Sequence, residues 1–118
     1  IYHTNVLLSI GTDLAMMCLD AITQPRRRAE VEQRLLESGH LLVPLAWSQV
    51  REFAGNAIEL TGRHRILVMS QRAAQALTRD QVAMIEQSAE VVALKLPTIE
   101  LSGGSARCMI AGLHLTRR

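Results

Sequence analysis

The order strand, strand, helix, strand occurs twice along the 118-residue sequence, and this repeat limits the possible folds more than any other feature. In the first copy the predicted elements are two strands, a helix and a strand over residues 5–10, 14–19, 26–37 and 41–45. Pro25 suits the first turn of the helix and Gly39 ends it. Pro44 places the last strand at an end or an edge of its sheet, because proline cannot donate to the ladder. The pattern predicts one ββαβ unit.

The second copy repeats the order with different details. Its predicted elements are a short helix at 48–53, strands at 56–61 and 66–69, a helix at 78–89, and strands at 91–96 and 108–115. Ser48 is the expected cap of the short helix and Gly55 its end, while Thr78 and Gln81 form a capping-box pattern. No linker or low-complexity tract separates the two units. We therefore predict an α/β fold with one domain over residues 1–118.

The composition argues against several classes of partner. Hydrophobic residues make up 48% and charged residues 20% of the chain, a balance typical of globular proteins. A nucleic-acid groove combines positive charge with stacking aromatics, but the net charge is only +2 and aromatics make up 3%. No run approaches the ~18 apolar residues of a membrane helix. We expect neither nucleic-acid nor membrane binding.

The two cysteines, Cys18 and Cys108, lie far apart without a Cys-x-x-Cys pair. This spacing indicates neither a disulfide framework nor a zinc site. A reducing compartment suits free thiols, so we predict a cytoplasmic protein.

Cys108 closes a small-residue loop, residues 102–107, and this position makes it a candidate nucleophile. A free thiol is mostly protonated at neutral pH, so a reactive cysteine needs a partner such as an imidazole. His3 stands at the head of an apolar run at the other end of the chain and can supply that partner. Histidine is suited to general acid and base catalysis because it titrates near neutral pH.

These two motifs resemble the guanidine-modifying superfamily, the pentein fold of arginine deiminases, amidinotransferases and dimethylarginine hydrolases. The cysteine loop at 103–109 resembles their catalytic-cysteine loop, and His3 with Thr4, Asn5 and Val6 resembles their catalytic-histidine segment. Residues 53–60 and 67–70 fit between them in the order typical of the citrulline-hydrolase branch of amidinotransferase-like proteins.

The resemblance implies a ring of five ββαβ modules, of which this chain matches roughly the last two. Because the sequence starts with Ile1 inside an apolar run, we expect it to be the C-terminal part of a longer gene product. The implied mechanism is covalent and uses no metal or organic cofactor. Cys108 would attack the central carbon of a guanidino or ureido group, and His3 would protonate the departing amine.

The resemblance also implies roles in substrate binding for Asn5, Asn56, Gly104 and Arg107. Asn5 stands where deiminases and amidinotransferases carry an aspartate, and a neutral amide cannot neutralise a cation, which favours a ureido substrate such as citrulline. Arg107 is expected to clamp a carboxylate or stabilise the thiolate. Asn56 can equally be a turn residue, and Gly104 can simply allow close approach. The family's main clamp carboxylates lie before the histidine, so we expect the isolated chain to be inactive.

Other residues have a structural interpretation. Cys18 lies mid-strand among apolar residues and is expected in the core, and His40, His64 and His114 lack metal-ligand spacing. The alternative for the whole chain is a non-catalytic binding module, because pentein folds also occur in ribosome-associated factors.

A cut through a closed ring leaves sheet edges and apolar faces uncovered. We therefore expect a homo-oligomer that buries residues among 2–10 or 108–115.

Overall fold

The computed structural model describes residues 3–113, which form two three-stranded sheets, each with a flanking helical layer. The strands are β1 (Leu8–Ile10), β2 (Leu14–Met17), β3 (Leu41–Pro44), β4 (Ile58–Thr61), β5 (Arg65–Ser70) and β6 (Glu90–Leu94). The α-helices are α1 (Pro25–Glu37), α2 (Trp47–Arg51), α3 (Gln71–Ala76), α4 (Arg79–Ile85) and α5 (Pro97–Glu100). Three 3-10 turns cover Thr4–Val6, Leu19–Ala21 and Ala106–Met109.

The two sheets have the same topology, which confirms the predicted repeat. In the first, β2 pairs antiparallel with β1 and parallel with β3. In the second, β5 pairs antiparallel with β4 and parallel with β6. A parallel pair needs a crossover, which α1 provides in the first unit and α3 with α4 in the second. The fold is therefore α/β, built from two ββαβ units.

Local capping signals explain most helix boundaries. Pro25 occupies the first turn of α1, as predicted. The Thr78 side chain accepts from the Gln81 backbone amide, and the Gln81 side chain accepts from the Thr78 amide, so the predicted capping box opens α4. The cap of α2 was predicted wrongly. Its N-cap is Ala46, whose amide donates to the Gln49 side chain, and Ser48 lies inside the helix.

One apolar core spans both units and joins their sheets. The first unit contributes residues such as Leu14, Met16 and Cys18, and the second contributes Leu67 and Met69 among others. Cys18 is fully buried, as the sequence predicted. Since both units bury their apolar faces in the same cluster, each supports the position of the other.

Polar contacts also join the two units. The Ser9 hydroxyl donates to the Ala57 carbonyl at 2.9 Å in a buried contact. At the turn before β2, the Glu59 carboxylate accepts from both the amide and the hydroxyl of Thr12. The Asp13 carboxylate accepts a hydrogen bond from Arg65, and this contact raises the pKa of the arginine.

Several predicted elements differ from the structure. Asn5 and Val6 lie in a 3-10 turn rather than a strand, and β1 starts only at Leu8. The strand predicted over 108–115 is wrong, because Cys108 lies in a 3-10 turn and residues 110–113 form no strand. Its last two positions fall outside the described residues. The helix predicted to reach Ala89 ends at Ile85. Helix α3 was not predicted, although Ser70 caps it by accepting from the Ala73 amide.

Across residues 3–113 the longest helix is α1, and none of the helices there has the length and apolar character needed to cross a membrane.

Candidate active site

Cys108 is presented at the surface by a loop whose base is buried. Ser105 and Ala106 are fully buried, whereas Cys108 is exposed in the 3-10 turn that follows them. The Ser105 hydroxyl donates to the Glu100 carboxylate at 3.0 Å, and its carbonyl accepts from the Cys108 amide at 3.0 Å. The anchored base fixes the backbone, and the thiol remains accessible to a reagent or substrate.

Gly104 lies directly against the cysteine side chain. A Cβ atom added at this glycine would stand 3.0 Å from the Cβ of Cys108 and 3.3 Å from its Sγ. The lack of a side chain at Gly104 therefore leaves room beside the thiol. Substrate binding by Gly104 stays a prediction.

Asn56 connects the cysteine turn to the histidine segment. Its Nδ2 lies 3.2 Å from the Sγ of Cys108 and 2.9 Å from the carbonyl oxygen of Asn5. Its backbone carbonyl also accepts from the Arg107 amide at 3.4 Å. The Asn56 side chain is completely buried, although its partner Cys108 is exposed.

His3 is exposed and is the N-cap residue of the Thr4–Val6 turn. Its carbonyl accepts from the Val6 amide at 3.2 Å, which ties the histidine backbone to the turn. Asn5, in the middle of that turn, supplies the carbonyl that Asn56 binds. The Thr4–Val6 turn, here called the histidine turn, and the Ala106–Met109 turn, the cysteine turn, are thus both hydrogen-bonded to the side chain of Asn56.

Gly55 allows the histidine turn to approach the second unit. A Cβ atom on Gly55 would stand 2.4 Å from the carbonyl oxygen of Val6, a distance that no real side chain could keep. Two residues earlier, Phe53 has a φ of 64°, a left-handed conformation that is uncommon for a bulky residue. The sequence indicated Gly55 only as a helix end. The close approach depends on residues 6 and 7, which no local signal connects to Gly55.

A groove of about 350 Å³ runs beside these two turns. Arg107, Asn5 and Glu59 contribute its polar lining, and Ile10 and Ile58 are among its apolar lining residues. The Arg107 guanidinium donates to the Ile110 carbonyl at 2.9 Å. The Asn5 Oδ1 atom is buried and has no hydrogen-bond partner among the described residues.

Two other histidines that the sequence singled out, His40 and His64, make their side-chain hydrogen bonds to residues other than Cys108. His40 contacts the Ser38 hydroxyl and the Gly11 carbonyl, and His64 contacts the Glu90 carboxylate at 2.7 Å. His114 lies outside the described residues. Within residues 3–113, His, Cys, Asp and Glu form no group of three or more that could hold a metal ion.

The profile of the family described as "N,N dimethylarginine dimethylhydrolase, eukaryotic" matches residues 1–115. The chain belongs to this N,N dimethylarginine dimethylhydrolase family. The predicted membership of the guanidine-modifying, pentein superfamily is thereby confirmed. The profile match places the chain in a family of guanidino-group hydrolases. No curated protein matches the chain significantly.

Solved structures confirm the predicted α/β pentein-type fold. Apo ArgZ, an arginine dihydrolase from the ornithine-ammonia cycle in Cyanobacteria, superposes with a TM-score of 0.69 and 16% identity, over 92% of this chain and 16% of ArgZ. The N-terminal domain of ArgZ bound to product superposes with a TM-score of 0.68 and 17% identity, over 92% of this chain and 36% of the domain. The complex of AgrE with ornithine and NAD+ superposes with a TM-score of 0.68 and 16% identity, over 92% of this chain and 15% of the AgrE chain. This chain spans a minor part of each of these proteins.

Proposed function

We propose that this chain carries the nucleophile and the general acid of a hydrolase that cleaves a non-peptide carbon–nitrogen bond in a guanidino or ureido compound. The observation that carries the proposal is the Asn56 side chain. Its Nδ2 donates both to the Cys108 sulfur and to the Asn5 carbonyl, in the turn that His3 begins. One buried amide therefore contacts both motif segments, which come from opposite ends of the sequence.

The proposed reaction has two steps. Cys108 sulfur attacks the central carbon and forms a carbon–sulfur bond, while the carbon–nitrogen bond breaks and His3 gives a proton to the departing amine. His3 then takes a proton from water, which attacks the same carbon. The carbon–sulfur bond breaks and the thiolate returns. A positioned acid and base contributes about 10²- to 10⁴-fold to such steps.

The groove beside the two turns is where we place the rest of the substrate. Arg107 lines it with a guanidinium, which suits a carboxylate of the substrate. Asn5 contributes a neutral amide, which favours a ureido group of the citrulline type over a cationic guanidinium. In this proposal Gly104 gives the central carbon access to the sulfur, since it leaves the space beside Cys108 open.

The proposal places the substrate-clamping carboxylates in a longer parent protein. Glu59 lines the groove, but its two carboxylate oxygens already share the hydrogen of the Thr12 amide, and one of them also accepts from the Thr12 hydroxyl. The Glu59 carboxylate therefore stabilises the turn before β2, and we do not assign it to substrate binding. In the proposed parent, residues 1–118 are the C-terminal part of a cytoplasmic pentein domain, and the reaction uses no metal or organic cofactor.

Labelling and turnover of the 118-residue chain test this assignment. We expect Cys108 to react with a haloacetamidine faster than Cys18, because Cys108 is exposed and Cys18 is buried, and we expect His3→Ala to slow that reaction. Turnover of citrulline or arginine should stay near background, because positioning contributes several kcal/mol to catalysis. The measurements are mass spectrometry of the two cysteine peptides and ammonia release.

His40→Ala is the matched control for the histidine, since His40 lies in the first unit and contacts Ser38 and Gly11. Labelling of Cys108 that is insensitive to His3 would contradict the catalytic pair and favour the binding module. Robust turnover by the isolated chain would show that the clamp carboxylates were misplaced.

Self-association is a second expectation for the isolated chain. Three large apolar side chains near the two ends of the described chain are exposed, namely Ile10, Met109 and Leu113. Burial of apolar surface drives association, so we expect a homo-oligomer that covers this region. Light scattering coupled to gel filtration checks it, and Leu113→Ser should shift the population toward monomer. A monomer at high micromolar concentration would contradict this expectation.

A further inference from the structure

The Asn56 carboxamide can be oriented from its contacts alone. The Asn5 carbonyl oxygen can only accept a hydrogen bond, so the atom 2.9 Å from it must be the Asn56 nitrogen. The second hydrogen of that nitrogen remains for the Cys108 Sγ at 3.2 Å. The sulfur is therefore the acceptor in this contact, and the amide is the donor.

A donor aimed at sulfur distinguishes two states of the thiol. A donated hydrogen bond stabilises a negatively charged acceptor more than a neutral one. Because Asn56 is completely buried, water does not compete for its amide hydrogens. The contact places a donor where the thiolate, the nucleophilic form of cysteine, would accept a hydrogen bond.

The position of Asn56 is itself fixed on several sides. Its backbone amide donates to the Phe53 carbonyl at 2.9 Å, and its backbone carbonyl accepts from the Arg107 amide. The preceding Gly55 packs against the backbone of Val6 and Leu7. Because Asn56 is held by hydrogen bonds of its backbone and of its side-chain amide, it can set the distance between the histidine turn and the cysteine turn.

One atom of Asn56 does not fit a purely structural role. Its Oδ1 is buried and has no hydrogen-bond partner among the described residues. Buried polar groups are normally satisfied, so an unpaired acceptor reduces stability. A local departure of this kind from complete hydrogen bonding is expected more often at functional sites than in ordinary packing.

We propose that Asn56 is a positioning residue, which holds the Cys108 thiolate with a donated hydrogen bond and fixes the cysteine turn against the turn begun by His3. This inference rests on the proposed function and assigns to Asn56 a role other than direct substrate binding. It predicts that the intrinsic reactivity of the thiol depends on the Asn56 amide even when no substrate is present.

Asn56→Asp tests the inference because it keeps the size of the side chain, replaces the donating NH₂ by an oxygen and can add a negative charge beside the sulfur, and each of these changes opposes a thiolate. We expect the rate constant for alkylation of Cys108 by neutral iodoacetamide at pH 7 to fall by about fivefold or more. Ser9→Ala is the matched control, because it removes another buried hydrogen bond between the units without touching the thiol. Its Cys108 rate should stay within about twofold of the unmodified chain. A Cys108 rate in Asn56→Asp equal to that of the unmodified chain would overturn the inference.

An NMR measurement that leaves Asn56 unchanged keeps the inference testable if Asn56→Asp does not fold. We expect the side-chain amide signals of Asn56 to shift in Cys108→Ala, which removes the sulfur acceptor, and to change little in Ser9→Ala. Unshifted Asn56 signals in Cys108→Ala would overturn the inference.

The outcome separates this inference from the proposed function. Iodoacetamide labelling needs neither substrate nor the clamp carboxylates. An active Cys108→Ala parent would end the hydrolase mechanism even if Asn56 controls thiol reactivity. An inactive Cys108→Ala parent with an unchanged labelling rate in Asn56→Asp would end the positioning role alone.

Discussion

Replacement of Cys108 by alanine in the longer parent protein is expected to abolish hydrolysis, because the proposed mechanism has no route that avoids the covalent bond to sulfur. His3→Ala should leave the thiol in place and slow both formation and breakdown of the intermediate, by roughly 10²-fold or more. Steady-state release of ammonia or amine measures both variants against the parent.

Cys18→Ala is the control for the loss of a thiol. Cys18 is fully buried in the core, so its truncation should lower stability modestly and leave turnover almost unchanged. An active Cys108→Ala parent would end the assignment of the nucleophile. A His3→Ala parent with normal turnover would leave Cys108 in place but require a different acid.

Gly55→Ala should have the largest effect on the fold among single small substitutions near the site. Its new Cβ would stand 2.4 Å from the carbonyl oxygen of Val6 and 3.0 Å from the carbonyl carbon of Leu7, and because both of these are backbone atoms, the histidine turn must move. Overpacking of this kind reduces the free energy of unfolding by about 1–3 kcal/mol. For a domain of this size we expect the melting temperature to fall by roughly 5–15 °C. Urea or thermal unfolding followed by circular dichroism measures the change.

Gly62→Ala is the matched control. Gly62 lies in the turn between β4 and β5, and a Cβ atom there would meet no atom within 4 Å. We expect its stability to stay within about 0.5 kcal/mol of the unmodified chain. Equal stability of the two alanine variants would show that the turn bearing His3 does not pack against Gly55 as the structure has it.

A further consequence of the packing is that Gly55→Ala should slow the labelling of Cys108, since Asn56 follows Gly55 directly.

The structure also shows which surface contacts are secondary to the site. Arg72 pairs with the Glu52 carboxylate and lies over the Phe53 ring at 5.5 Å from its centroid. The hydrogen bond from Arg72 lowers the pKa of Glu52. Both side chains are about half exposed to solvent, so this pair contributes little to stability.

Patterns within a few residues allowed the elements with strong local signals to be predicted. The helix from Pro25 to Glu37 and the capping box of Thr78 with Gln81 follow from backbone geometry and hydrogen bonds that short segments make by themselves. The repeated ββαβ order could be found for the same reason. The cysteine loop and the histidine segment were identified by resemblance, and the family profile confirms the family but not the roles of individual residues.

Elements whose conformation depends on distant partners were predicted less well. The apolar residues after Cys108 predict a strand, yet the turn that holds Cys108 hydrogen-bonds to Asn56 rather than pairing with a strand. Asn5 and Val6 likewise leave the strand conformation for a turn, where the Asn5 carbonyl meets Asn56 and Val6 packs against Gly55. In both cases a contact from the other unit decides the local backbone.

By itself, the sequence indicated the repeated ββαβ order, the starts of α1 and α4, and the two segments from which Cys108 and His3 are proposed as catalytic residues, because each of these depends on a short stretch of chain. Tertiary structure alone decided that Asn56 contacts both the Cys108 thiol and the carbonyl of Asn5 in the turn that His3 begins. That contact joins segments from the start, the middle and the end of the sequence. The physical reason is that hydrogen bonds and steric contacts between distant segments exist only after both units have packed on their common core, so no local pattern encodes them.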